Sequence, residues 1–81
     1  MKIGVKILPK NEVLDTQGRA VESTLKSHGR EVAQARVGKY VQLDIHENDE
    51  GKALAKAKEI AEFVLYNPLI ETFELEVVKR G

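Results

Sequence analysis

Between residues 32 and 46 the apolar side chains keep one parity. Ala33, Ala35, Val37, Val41, Leu43 and Ile45 all fall on odd positions, with Lys39 the one polar interruption. Successive side chains of a strand point to opposite faces, so shared parity means a shared face. No other feature constrains the fold as tightly. A two-residue hairpin at Gly38-Lys39 would pair Val37 with Tyr40 and turn Gln42 and Asp44 onto the face of Val37. Every buried side chain would then exchange its environment. Two arrangements keep the parity. One is a single long strand bent or bulged at Gly38; the other is a three-residue loop, residues 38–40. We read the long bent strand. It exceeds what a small three-stranded sheet accommodates, so part of it is expected to project and pair with another chain.

The flanking segments are shorter and simpler. Residues 2–8 alternate, with Ile3, Val5 and Ile7 on one face, and Pro9 closes the strand because proline cannot donate to a ladder. Asp15 is placed to cap a helix over residues 16–28. Leu14, Gly18, Val21, Leu25 and His28 recur at spacings of four and three, which gathers them on one side of that helix. Gly29 follows as a left-handed C-terminal residue. Asn48 or Asp49 caps a second helix whose stripe is Leu54, Ala57, Ile60, Ala61, Val64 and Leu65, and Asn67-Pro68 stops it. From residue 69 to 79 the chain alternates again, with Phe73, Leu75 and Val77 inward and Thr72, Glu74 and Glu76 outward. The predicted fold is α+β, in the order β-α-β-α-β: a long central strand bent near Gly38, with two helices on one face of an antiparallel or mixed sheet that is extended by dimerisation. A ferredoxin-like β-α-β-β-α-β order follows instead if Gly38 opens a hairpin.

Composition narrows the function classes. At 81 residues the chain is one domain, too short for two cores. There is no cysteine, so disulfides, thiol catalysis and thiolate metal sites are excluded. No apolar run reaches about 18 residues, and the first residues alternate instead of forming a signal sequence; a cytoplasmic location is expected. Basic and acidic residues balance at 13 each. A neutral chain lacks the excess positive charge that nucleic-acid binding uses. The balance is uneven along the chain: residues 1–40 carry eight basic and four acidic side chains, residues 41–81 five and nine. Two solvated faces explain this as well as complementary contacts with a second chain do. A core of this size supplies only a few kcal/mol, and partner chains are the expected supplement.

Catalytic groups are scarce. His28 and His46 have no neighbouring ligand spacing, and a metal site needs three or four converging ligands. Ser23 and Ser27 lie within a helix, without a strained turn or a nearby base. No glycine loop fits a phosphate. The reading is therefore no catalytic, cofactor-binding or metal-binding residue. What stands out is polar and glycine chemistry at positions that pattern does not explain. In Leu14-Asp15-Thr16-Gln17-Gly18 a glycine sits inside the first helical turn. It costs up to about 1 kcal/mol against alanine unless backbone approaches closely there. In Arg36-Val37-Gly38-Lys39 two cations flank the glycine of the long strand. Solvated edge-strand charges account for them in the simplest way. Asp15, Gln17, Gly18, Arg36, Gly38 and Lys39 are the candidate interface residues.

These motifs, with residues 2–8, Tyr40 and Asn67-Pro68-Leu69-Ile70-Glu71, occur in an order and spacing that resembles the PurS subunit family of phosphoribosylformylglycinamidine synthase. The resemblance spans essentially the whole chain. Thr16 stands where the family more often has proline, an easy exchange in a first helical turn. The resemblance implies a non-catalytic subunit of de novo purine biosynthesis. It implies homodimers or dimers of dimers. It also implies two further partners, a large synthetase subunit that uses ATP and Mg and a glutaminase subunit. The assembled enzyme converts formylglycinamide ribonucleotide, ATP and glutamine into formylglycinamidine ribonucleotide, ADP, phosphate and glutamate. No nucleic acid, membrane or cofactor of its own is expected. The competing expectation is a stand-alone ferredoxin-like interaction or effector-binding module.

Overall fold

The computed structural model describes residues 1–78. The elements are β1 (Lys2–Pro9), α1 (Thr16–Ser27), β2 (Lys39–Asp44), α2 (Glu50–Ile60), a π-helical turn (Ala61–Leu65) and β3 (Glu71–Val78). The predicted order of three strands and two helices is formed. β1 lies in the middle of the sheet, with β2 and β3 antiparallel to it on either side.

Parity sets the register. Val5 stands opposite Val41 and Leu75, and Ile3 opposite Leu43 and Val77. The three alternating segments thus turn their apolar residues to one face. Ile3, Val5 and Ile7 are fully buried there. Burying each such side chain is worth about 1.5–3 kcal/mol. Lys39 shares this face but lies at its end, opposite Ile7. Its ammonium stands 3.9 Å from the Glu71 carboxylate. The one polar interruption in the pattern is therefore an ion pair at the margin of the apolar face.

α2 closes that face. Asp49 caps it, its carboxylate accepting from the Lys52 amide at 2.9 Å. Ala53, Ala57 and Ala61 recur every four residues and are fully buried. Their small side chains let the helix lie close to the sheet, with Ile3 and Ile45 against Ala53 and Ala57. The π-helical turn continues the stripe. Beyond it Tyr66 meets Phe73 edge to face, with centroids 4.7 Å apart and planes at 67°.

Three expectations are corrected. First, the helices do not share the apolar face. α2 packs on β1 and β3, whereas Gly18 is the only buried residue of α1. Leu14 and Val21 of the predicted stripe are 62% and 41% exposed. Second, the long strand is not completed within the chain. β2 begins at Lys39, and residues 31–38 form no ladder. The reason lies in β1, which ends at Pro9, opposite residue 37 in this register, and offers no strand for residues 32–36 to pair with. The long strand was also expected to be central, but β2 is an edge. Gly38 opens no hairpin inside the chain, and the sheet order is compatible with a ferredoxin-like layer lacking the strand that would follow α1.

The result is an extended molecule, 47 × 32 × 15 Å, with a radius of gyration of 15.7 Å. A compact chain of this length has about 12 Å. Its accessible surface of 6113 Å² exceeds the roughly 4,900 Å² expected of a compact monomer of this mass.

Candidate functional site

α1 and the segment leading into β2 form an arm beside the sheet, and carboxylates hold it together. Asp15 caps α1, with Oδ1 accepting from the Gly18 amide at 2.8 Å. Its Oδ2 accepts from the Val37 amide at 2.9 Å. Two turns along α1, Glu22 Oε2 accepts from the Ala35 amide at 2.8 Å. In extended backbone, alternate residues point their amides to the same edge. That is why Ala35 and Val37 both reach α1. Gly18 lies between these clasps. A Cβ there would collide with the Ala35 carbonyl oxygen and the Asp15 carboxylate. Close backbone approach explains the glycine in the first turn. At the far end Gly29 adopts φ 75°. The Gly29 and Arg30 amides donate to the Lys26 and Leu25 carbonyls, a Schellman closure.

The predicted interface residues fall in four places. Asp15 and Gly18 are used inside the arm. Gln17 is exposed on α1. Gly38 lies against the Ile7 carbonyl, where a Cβ would not fit, and Lys39 pairs with Glu71. Arg36 is half-buried and faces a cleft of about 450 Å³ bounded by the β1–α1 loop, α1 and residues 33–36. Lys10, Arg19 and Glu22 line the same cleft. Sequence reasoning passed over these three. Glu22 carried a usable signal, since it follows Asp15 by seven residues and so shares its helix face.

No catalytic constellation forms among the described residues. Ser27 Oγ donates to the Thr24 carbonyl at 2.9 Å, and His28 Nδ1 lies 2.8 Å from that same oxygen. Both therefore serve the end of α1. His46 lies beyond β2. No group of three or more His, Asp or Glu gathers among the described residues. Among the described residues no helix is long and apolar enough to cross a membrane.

The two amides on Asp15 hold its carboxyl below the usual carboxylate range, helped by the Arg36 guanidinium and opposed by partial desolvation. The contribution of the clasp is therefore complete above the ordinary value of 3.8 and is lost as pH falls through the lowered folded value. Amide resonances of Gly18 and Val37 are expected to titrate together, with a midpoint below 3.8. Asp15→Asn should abolish that transition. A midpoint at or above the ordinary value would contradict the double clasp.

Comparison with known proteins decides the family. The family model described as PurS, phosphoribosylformylglycinamidine (FGAM) synthase, matches residues 2–79. The chain belongs to the PurS family. The Bacillus subtilis PurS subunit is 39% identical over 77 residues, covering 94% of this chain and 90% of that one. A solved structure of B. subtilis PurS, 38% identical, superposes with a TM-score of 0.78 over 96% of this chain and 98% of that one. A chain in the structure of PurLQS from Thermotoga maritima gives 0.84 at 26% identity, covering 93% of each. PurS is a subunit of FGAM synthase, in purine biosynthesis. The motifs behind the sequence resemblance all lie inside the matched residues.

Proposed function

We propose that this PurS-family chain is a non-catalytic scaffold that joins a large synthetase subunit to a glutaminase subunit. Ammonia released by the glutaminase then reaches the synthetase site without escaping to water. The complex turns formylglycinamide ribonucleotide, ATP and glutamine into formylglycinamidine ribonucleotide, ADP, phosphate and glutamate. In this reading ATP and Mg belong to the large subunit, and the assembly works in the cytoplasm. One observation carries it: the chain's most distinctive polar residues build an arm beside the sheet and the cleft along it. The solved PurLQS relative supports the partnership.

Homodimerisation belongs to the same reading. The surface beyond that of a compact monomer amounts to roughly 1,200 Å², more than the about 800 Å² each partner buries in a standard interface. In residues 31–38 one backbone edge is taken by Asp15 and Glu22. The other edge, at Gln34 and Arg36, has no backbone partner among the described residues. An unpaired extended edge invites a strand from another chain, and a two-fold dimer satisfies both copies at once. Sedimentation equilibrium at micromolar concentration should give at least twice the 9.1 kDa chain mass. A single species at the chain mass would overturn the dimer.

A further inference from the structure

Residues 14–37 are tied to one another and to nothing in the sheet. Inside the arm, Asp15 accepts from the Gly18 and Val37 amides and Glu22 from the Ala35 amide. The Gly18 backbone lies against the Ala35 carbonyl oxygen. Hydrogen bonds to carboxylates are the stronger kind, and these clasp residues 35–37 to α1 at two points. Towards the rest of the chain such ties are missing. Among the described residues no hydrogen bond or ion pair joins residues 14–37 to residues 1–9 or 38–78. The core takes nothing from the arm either. Of residues 14–37 only Gly18 is fully buried, and no arm side chain joins the apolar clusters between the sheet and α2.

The two attachments of the arm lie side by side. β1 leaves the sheet at Pro9, and β2 enters it at Lys39, opposite Ile7. The Lys10 amide donates to the Ile70 carbonyl at 2.8 Å, so the outgoing chain is held as far as Lys10. Asn11 and Glu12 follow, both exposed. On the return, Gly38 is exposed and has no side chain to hinder rotation. Open space separates the arm from the sheet at this corner: a depression of about 330 Å³ has Arg36 on the arm side and Thr72 of β3 on the other.

We propose that residues 14–37 form a rigid body that turns on the sheet about a hinge at residues 11–13 and Gly38. Hinges are a few loop or element-terminal residues that absorb the change in backbone angles. Attachments at opposite ends of the arm would forbid rotation, whereas two adjacent ones define an axis for it. The free backbone edge at Gln34 and Arg36 lies on the arm, so a strand bound there is carried with it. The angle between the sheet and a paired chain then changes without a bond breaking in either. That consequence rests on the dimer reading above; the hinge does not.

Residual dipolar couplings of the backbone amides test the hinge on the wild-type protein in its own state of association. Couplings from residues 2–8, 39–44, 50–60 and 71–78 are fitted to one alignment tensor, and those from residues 16–27 and 35–37 to another. Each set should fit its own tensor, with the order of the arm lower by roughly 1.4-fold or more, the ratio that separates rigid from flexible backbone. Equal order for the two sets would overturn the hinge. An arm that fits no single tensor would show internal disorder in place of rigid rotation, and would overturn it as well. Glu22→Ala removes one clasp. It should spoil the fit of residues 35–37 to the tensor of α1 and leave the fit of the sheet untouched. An unchanged arm fit in this variant would overturn the clasped rigid body. Sedimentation of the same sample at the chain mass would remove the dimer reading, while the couplings still decide the hinge.

Discussion

Replacing Ile3 by alanine is expected to remove a large share of the stability. Ile3 is fully buried between the sheet and α2, with Ile45, Ala53 and Ala57 around it. Truncation loses the transfer free energy of the side chain and leaves a cavity, a combined cost of about 2–5 kcal/mol. The whole chain has roughly 4–12 kcal/mol available at typical values per residue. Ala53 and Ala57 of α2 are too small to fill the gap, and the middle strand cannot move without disturbing both ladders. A fall in Tm of about 10 °C or more should follow, measured at fixed protein concentration because the melting of any self-associating chain depends on it. Leu69→Ala is the control, since Leu69 is 81% exposed and surface changes usually stay within about 0.5 kcal/mol. Equal melting of the two variants would contradict the placement of the core.

Gly18→Ala tests the arm through its sign. In an ordinary exposed helix, alanine is favoured over glycine by about 1 kcal/mol. Here the added Cβ would meet the Ala35 carbonyl oxygen and the Asp15 carboxylate. The neighbouring segment has to move, and with it go the bonds from Val37 and Ala35 to Asp15 and Glu22. Overpacking of this kind costs about 1–3 kcal/mol. Hydrogen exchange should speed up at the Ala35 and Val37 amides and stay unchanged in β1. Gly18→Val should exaggerate both effects. A Gly18→Ala protein as stable as wild type, with those amides still protected, would show that α1 and residues 35–37 are not in contact.

The sheet and the helix ends were legible because their causes are local. Alternation placed Ile3, Val5, Ile7, Phe73 and Leu75, and Asp15, Asp49 and Gly29 marked their helix ends by short-range chemistry. The exposure of α1 was not legible, since a stripe of Leu14, Val21 and Leu25 looks the same whether its cover lies within the chain or outside it. The same holds for residues 32–38. Parity reports which way side chains point and says nothing of whether a strand lies alongside. Pairings across long separations were hidden as well. Lys39 meets Glu71, and Asp15 reaches Val37, contacts that exist only after folding. Asp15 and Gly18 stand outside the pattern in the sequence, and in the fold they build the arm. Arg36 lines the cleft along the arm, joined there by Lys10 and Arg19, which nothing in the pattern singled out.

The central claim is that this chain couples two active sites and supplies neither. It is tested most directly by reconstituting the synthetase and glutaminase subunits with and without the chain. ADP formation is followed with glutamine as nitrogen donor and, separately, with ammonium chloride. The account predicts that glutamine-dependent turnover requires the chain, while turnover with high ammonium persists in its absence. Glutamine-dependent turnover that is the same with and without the chain would contradict it.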